Sequence, residues 1–458
     1  DAERLLNALS GTGAARIDFA VLHDLPARLR DCGWRVRAVV RADEVIAVAP
    51  AAGRCLGLAV DLGTTNVAGF LVDLESGARL ASLGIENPQA AFGADLISRV
   101  NHAIRDPGGA GELRGEAVAA LSTLANDMCK AVSTRAEDIS EIVVCGNTAM
   151  HHLLLGLPVS QLGRAPFVPA VCAGLDLKAR ELGIPAAAGA YVHLMPNVGG
   201  FVGGDHVAVL LATESEWSGA RAIVMDIGTN TEISLIHKGV ITSVSSPSGP
   251  ALEGGHIACG MRAADGAIEK VRIEGGQITL QVIGNVDPVG LCGSGVIDLV
   301  AALRKMGIID KRGWICRDDH AAVRDSAGQR EIVLAPEVVF TQGDIRAVQL
   351  AKAAIRTGID LLVQAAGLEE SAIERVLIAG AFGAYIDLDS AVGIGLVPDL
   401  PRERFRQVGN AAGLGARMAL TSVSARARAA HLAGNCRYLE LGTRAGFQKT
   451  LMRRIGFD

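Results

Sequence analysis

The stretch Gly57-Leu-Ala-Val-Asp61-Leu-Gly63-Thr64-Thr65-Asn-Val-Ala-Gly-Phe-Leu-Val-Asp-Leu74 reads as an apolar strand ending in a carboxylate, a tight turn, and a second apolar strand running back. Such a hairpin suits phosphate. Glycine at 63 allows backbone torsions that a side chain would forbid, so the turn's amides can point at an anion, and Thr64 and Thr65 add hydroxyl donors. Asp61, at the tip, is placed to hold magnesium through water or to orient an attacking water. An ordinary type I′-like turn has much the same composition, so one copy decides little.

A second copy decides more. Ala222-Ile-Val-Met-Asp226-Ile-Gly228-Thr229-Asn230-Thr231-Glu232-Ile-Ser-Leu235 repeats the order of strand, Asp, Gly, hydroxyl or amide, and strand, and a third short strand, Lys238 to Ser245, follows it. Each turn thus opens a three-strand meander, which indicates an internal duplication. Two such hairpins facing across a cleft would clamp a triphosphate from both sides.

Composition narrows the class. A chain of 458 residues, half of them hydrophobic and rich in Gly and Ala, suits two or three domains built on parallel sheets covered by helices. The net charge of −5 and 3% aromatic content supply neither a basic stripe nor a stacking platform, so nucleic acid is not an expected partner. No uninterrupted apolar run of about 18 residues and no signal-peptide pattern occurs, which predicts a soluble cytoplasmic protein without membrane contact. The nine cysteines form no Cys-x-x-Cys pair, which argues against a zinc site or a disulfide framework. The first residue is Asp, so the chain reads as a fragment or a processed product.

Three segments are expected: residues 1–55, the remnant of a small middle domain; 56–213, a first half; and 219–458, a second half. In the first, a buried strand from Glu141 to Cys145 runs through Gly146-Asn147-Thr148 into a helix, an anion-friendly corner. The loop Pro196-Asn197-Val-Gly-Gly-Phe-Val-Gly-Gly204-Asp205 is densest in glycine before the second copy. In the second half, Gly254 lies in the loop Ser248–Gly255, and the strand Glu374 to Ala379 ends in Gly380-Ala381-Phe382-Gly383, matching the first half's strand and corner. Residues 306–340 are expected as a surface excursion ending in a strand. Arg426 and Arg428 read as a solvated helix face, and His151 and His152 as packing or capping groups rather than metal ligands.

With these motifs assembled, the chain resembles the ASKHA superfamily of acetate and sugar kinases, heat-shock chaperones and actin. That resemblance implies an α/β class: a duplicated ribonuclease H-like fold with mixed sheets flanked by helices. It makes Asp61, Gly63, Thr64 and Thr65 the first phosphate loop, Asp226, Gly228, Thr229 and Asn230 the second, and Gly380, Ala381, Phe382 and Gly383 the flank of adenosine. ATP and Mg2+ are the implied cofactors.

A narrower resemblance covers almost the whole chain. Asp61-Leu-Gly-Thr-Thr, Asn87-Pro-Gln89 with Gly93-x-Asp95-x-Ile-Ser-Arg99, Gly146-Asn-Thr-Ala-Met-His-His152, Gly290-Leu-Cys-Gly-Ser-Gly295 and Gly409-Asn-Ala-Ala-Gly413 together look like the reductive activators of corrinoid-dependent methyltransferases. Membership would imply an ATPase that drives an inactive Co(II) corrinoid back to Co(I), with a corrinoid protein or cobalamin-dependent methyltransferase as partner and a homodimer allowed. In that family a 2Fe-2S domain supplies the electron; this sequence lacks it, as an upstream truncation would explain. Three alternatives stay open: a small-molecule kinase of the same fold with Asp205 or Glu253 as base, a nucleotide-sensing module without turnover, and an activator of acyl-CoA dehydratases.

Overall fold

Strands that are apolar on both sides must be covered on both faces, and Leu56–Leu62, Ile139–Gly146 and Ala222–Ile227 are buried almost throughout. They form the middles of two sheets. The computed structural model describes residues 1–457 apart from 275, 276, 318, 319, 327, 381, 382 and 384. The chain divides into two units, Asp1–Ala212 with Ala412–Gly434, and Thr213–Ala411 with Asn435–Asp458.

The first unit holds a sheet of β1 (Leu56–Leu62), β2 (Asn66–Asp73), β3 (Arg79–Glu86), β4 (Ile139–Gly146), β5 (Leu175–Lys178) and β6 (Tyr191–Leu194). Their order is β3-β2-β1-β4-β6-β5, with the β1–β2–β3 meander antiparallel and β4 and β6 joining in parallel. Helices α1 (Leu96–Arg105), α2 (Gly109–Ala131), α3 (Thr148–Leu155) and α4 (Gly204–Ala212) belong to this unit. Helix α2 lies over β2 and β3, and its Leu121, Leu124 and Met128 join Leu58, Val60 and Val144 in one core.

The second unit repeats the plan. Its strands β7 (Ala222–Ile227), β8 (Thr231–His237), β9 (Val240–Ser246), β10 (Arg375–Ala379), β11 (Phe405–Gly409) and β12 (Cys436–Tyr438) stand in the order β11-β10-β7-β8-β9-β12. The meander is again antiparallel and β10 and β11 again join in parallel, so five strands of each sheet correspond one to one. Helix α5 (Gly293–Lys305) packs beside the inserted strand Ala267–Glu274, and α6 (Gln342–Ala365) crosses β8 and β9 as α2 crosses β2 and β3. The segment expected as a surface excursion carries an antiparallel sheet of Val323–Ser326, Gln329–Ala335 and Val338–Thr341. Among the described residues no helix is long and apolar enough to cross a membrane.

One part of the chain packs elsewhere than expected. Residues 412–434, read as the end of the second half, pack with the first unit. A Cβ on Gly415 would stand 2.1 Å from the Ala208 carbonyl oxygen and 2.7 Å from its Cα, so helix Ala411–Thr421 lies flush on α4. Arg426 is accordingly not a solvated group: it donates to Glu141 Oε1 at 2.6 Å and to the Ala419 carbonyl at 2.6 Å. Gly415→Ala is expected to destabilise the first unit by about 1–3 kcal/mol through overpacking, read as a lower urea midpoint at constant slope. An unchanged midpoint would contradict the packing.

Residues 1–53 carry a small core of their own. Helix Phe19–Asp31 packs on strand Glu44–Pro50, and Leu5, Val21, Leu25, Leu29, Val45 and Val48 make a small core. A buried ion network then fixes this piece to the first unit: Lys178 Nζ lies 2.8 Å from Asp18 Oδ2 and 2.6 Å from Glu44 Oε2.

Candidate functional site

In the first unit the turn 63–65 joins β1 to β2 with its carbonyls tied back into the protein. A Cβ on Gly63 would stand 2.5 Å from the Asn66 carbonyl oxygen, which only glycine avoids. Asn87 Nδ2 donates to the Gly63 carbonyl at 2.8 Å, the Asn87 amide to the Thr65 carbonyl at 2.9 Å, and Arg99 Nη2 to the Thr64 carbonyl at 2.7 Å. A trans peptide is planar, so each carbonyl held this way turns the next amide to the opposite side of the loop. The amides that follow these three carbonyls, those of Thr64, Thr65 and Asn66, are therefore turned away from the groups that hold the loop.

Asn87 and Arg99 are the positions whose role sequence reasoning missed, although both lie in the motif quoted above. Arg99 is fully buried on α1, where it also donates to the Gly93 carbonyl at 2.9 Å and to Gln89 Oε1 at 3.3 Å, with Met150 Sδ at 3.5 Å. Burial pulls its guanidinium down to about 10, while the charge of Asp95 opposes the shift, so it stays a cation at neutral pH.

Asp61 ends β1 half-buried, paired in parallel register with Cys145 next to the Gly146 corner. It lies near enough to Asp205 for their charges to interact. Burial pushes the Asp205 carboxyl up to about 7; its bond from the His206 amide, at 2.7 Å, works against that, and the charge of Asp61 adds to it. Carboxylates in mutual repulsion gain from a shared divalent cation, so this pair suits magnesium with its water shell.

The Gly146-Asn147 corner is filled by protein. Asn147 caps α3, its Oδ1 accepting from the Ala149 amide at 3.1 Å, and its Nδ2 donates to the Phe201 carbonyl. A Cβ on Gly203 would stand 2.4 Å from the Gly146 carbonyl oxygen and 2.5 Å from the Thr148 nitrogen, so the glycine-rich loop lies directly on the helix start. Gly146 and Asn147 therefore shape the wall beside the first loop. The histidines pack as expected: His152 Nδ1 bonds the Thr148 carbonyl at 2.7 Å, its Nε2 accepts from the Ala170 amide at 2.9 Å, and burial lowers His151 to about 3. Among the described residues no group of three or more His, Cys, Asp or Glu is arranged to hold a metal.

In the second unit Asp226 ends β7 as Asp61 ends β1, in parallel register with Ala379 of β10. Gly380 follows with φ +97°, and a Cβ there would stand 2.4 Å from the Ile227 carbonyl oxygen and 3.1 Å from Asp226 Oδ1. Gly380 thus adjoins the second acidic turn. Gln407 Nε2 donates to the Gly383 carbonyl at 2.7 Å, while Ala381 and Phe382 lie outside the described residues. In the turn itself the Gly228 amide donates to the Asn230 carbonyl at 3.2 Å, and Ser248 Oγ donates to the Gly228 and Thr229 carbonyls, both at 3.3 Å. Thr229 Oγ1 donates to Glu253 Oε2 at 2.6 Å. Gly254, with φ +84° and the Met261 carbonyl oxygen 2.6 Å from where its Cβ would be, is required by the packing of its own loop.

Two sheets that share five strands in one order, each carrying an Asp-x-Gly-Thr hairpin with a glycine beside its aspartate, define the ASKHA class of folds. Family profiles agree and go further. The profile for the C-terminal domain of RACo, the ASKHA domain, matches residues 220–457; that for the RACo middle region matches 56–216, and that for the RACo linker region matches 1–53. The chain belongs to the RACo family of corrinoid activators. It is 37% identical over 442 residues to the corrinoid activation enzyme RamQ of Eubacterium limosum, covering 92% of this chain and 74% of that protein. To the [Co(II) methylated amine-specific corrinoid protein] reductase of Methanosarcina barkeri it is 25% identical over 387 residues, covering 77% and 68%. The solved structure of a reductive activator for corrinoid, iron-sulfur protein superposes with a TM-score of 0.90 at 36% identity, over 100% of this chain and 76% of that one.

Proposed function

We propose that the chain is an ATP-driven reductive activator that returns the Co(II) corrinoid of a partner protein to Co(I). The observation that carries this reading is the pair of Asp-x-Gly-Thr hairpins at the same place on two sheets that share five strands in one order, in a chain of the RACo family. Bound Mg·ATP would supply a polyanion whose binding and hydrolysis favour different conformations. Thr64 and Thr65 would donate amides and hydroxyls to phosphate oxygens; in the second turn the Gly228 amide is bonded to the Asn230 carbonyl and the Thr229 hydroxyl to Glu253, so the backbone amides of Thr229 and Asn230 would be the second set of donors, with Gly228 shaping the turn. Asp61 with Asp205, and Asp226, are the carboxylates set to hold magnesium-bound water or to orient the attacking one. Gly380 and Gly383 would flank the adenosine together with Ala381 and Phe382, Gly254 would back the second turn, and Gly146 and Asn147 the first.

The partner on this reading is a corrinoid protein or a cobalamin-dependent methyltransferase in the cytoplasm, with the electron delivered from a 2Fe-2S donor that these residues do not include. A direct test mixes the chain with a Co(II) corrinoid protein and a low-potential reductant, and follows the Co(II) absorbance. Loss of the Co(II) band should require Mg·ATP. Equal loss without nucleotide would refute the proposal.

A further inference from the structure

We propose that Arg99 is the positioning residue of the first phosphate loop, its buried guanidinium pinning the Thr64 carbonyl so that the loop offers its amides, and a positive field, to the phosphates of a nucleoside polyphosphate. This rests on the nucleotide reading given above. A fully buried cation is costly unless something repays its lost hydration. Among the described residues none of the groups that Arg99 bonds is a carboxylate: they are the Gly93 and Thr64 carbonyls, the Gln89 amide oxygen and the Met150 sulfur. Asp95, the acid whose charge acts on it, uses Oδ1 to cap its own helix at the Ser98 amide, 2.8 Å away.

The duplication supplies an internal control. In the second turn the carbonyls of Gly228 and Thr229 share the neutral hydroxyl of Ser248, and the carboxylate that bonds this turn, Glu253, accepts from the Thr229 side chain, whereas at the first turn a guanidinium bonds the Thr64 carbonyl itself. A buried cation on the backbone of the first turn suits an anion bound at that turn's amides. Its companion Asn87, which holds the Gly63 carbonyl at 2.8 Å, contributes the neutral part of the same task.

The test is isothermal titration of the full chain, and of Arg99→Lys and Arg99→Gln, with Mg·ATP, magnesium tripolyphosphate and adenosine, each variant being checked for native circular dichroism. Arg99→Gln should weaken ATP and tripolyphosphate by at least about tenfold, the usual weight of a charge-assisted bond, and leave adenosine unchanged. Arg99→Lys, which keeps the charge, should recover part of the loss. The proposal fails if a folded Arg99→Gln binds ATP as tightly as the parent, if adenosine weakens in step with ATP, or if neither variant folds, since the guanidinium then serves the fold. Absence of ATP and tripolyphosphate binding in the parent chain is a separate outcome that removes the nucleotide reading itself.

Discussion

Replacing Asp226 by Ala should abolish ATP-dependent reduction of the Co(II) corrinoid while leaving the protein folded. The carboxylate ends β7, half-buried, in register with Ala379 and Glu232, and the five residues before and after it along the strand, Ala222–Met225 and Ile227, are apolar and buried whether or not it is present. Its neighbour Gly380 is a glycine with positive φ whose missing Cβ leaves room beside Oδ1. Phosphoryl transfer is catalysed by positioning and charge, so removing one group that holds magnesium or the attacking water costs on the order of 10²–10³ in rate, and more when the metal is lost.

Asp226→Asn separates charge from shape. It keeps the side-chain volume next to Gly380 and should still lose most of the ATP-dependent rate, whereas a purely structural aspartate would tolerate Asn far better than Ala. Both variants should keep their circular dichroism, and both should weaken the dependence of nucleotide affinity on magnesium, the remainder being what Asp61 and Asp205 sustain. Full ATP-dependent activity in Asp226→Ala would remove the second turn from the site.

The two hairpins were legible because their signal is local: an apolar run, Asp, Gly and a hydroxyl within nine residues, repeated. Both sheets follow from it, since a meander plus later apolar strands leaves few ways to pair. What the sequence hid is carried by contacts between distant residues. Arg99 sits on a short helix where an arginine ordinarily faces water, and its partner is a backbone carbonyl 35 residues earlier, which leaves no trace in side-chain pattern. Nothing in the periodicity of Ala411–Thr421 says which sheet it will rest on; that is settled by Gly415 against Ala208 and by Arg426 reaching Glu141, 285 residues away. Asn147 shows the converse. A polar residue at a helix start reads equally as an anion ligand and as a cap, and here its cap bond to Ala149 and its bond to the Phe201 carbonyl give it the second role.

Lys178→Met should be the most destabilising single change in the first unit outside its apolar core. Lys178 is buried with its ammonium between Asp18 and Glu44, which are themselves buried, and it donates further to the Gly189 carbonyl at 3.0 Å and lies 3.8 Å from the centre of the Tyr191 ring. Removing one partner of a buried ion cluster leaves charge without compensation and typically costs about 3–5 kcal/mol. The lower end is expected, because Asp18 keeps Arg180 Nη1 at 2.9 Å and Glu44 keeps the Tyr191 hydroxyl at 2.8 Å. The pH dependence follows from the same contacts. Burial alone would raise the Asp18 carboxyl, but bonds from Lys178, Arg180 and the Ala20 amide outweigh it and hold the group below its ordinary value. Burial alone would lower Lys178, but Asp18, Glu44 and Tyr191 hold it above its own. A depressed acid contributes fully above its unfolded pKa and loses that contribution as pH falls; a raised base contributes fully below its unfolded pKa and loses it as pH rises. The network should therefore stabilise evenly between about pH 4 and pH 10 and weaken at both ends. In Lys178→Met the alkaline loss should disappear and the acid loss shrink to what Arg180 and the Ala20 amide sustain. Urea unfolding across that range, read alongside proteolysis of residues 1–53, would contradict the assignment if the variant's midpoint matched the parent's at pH 7.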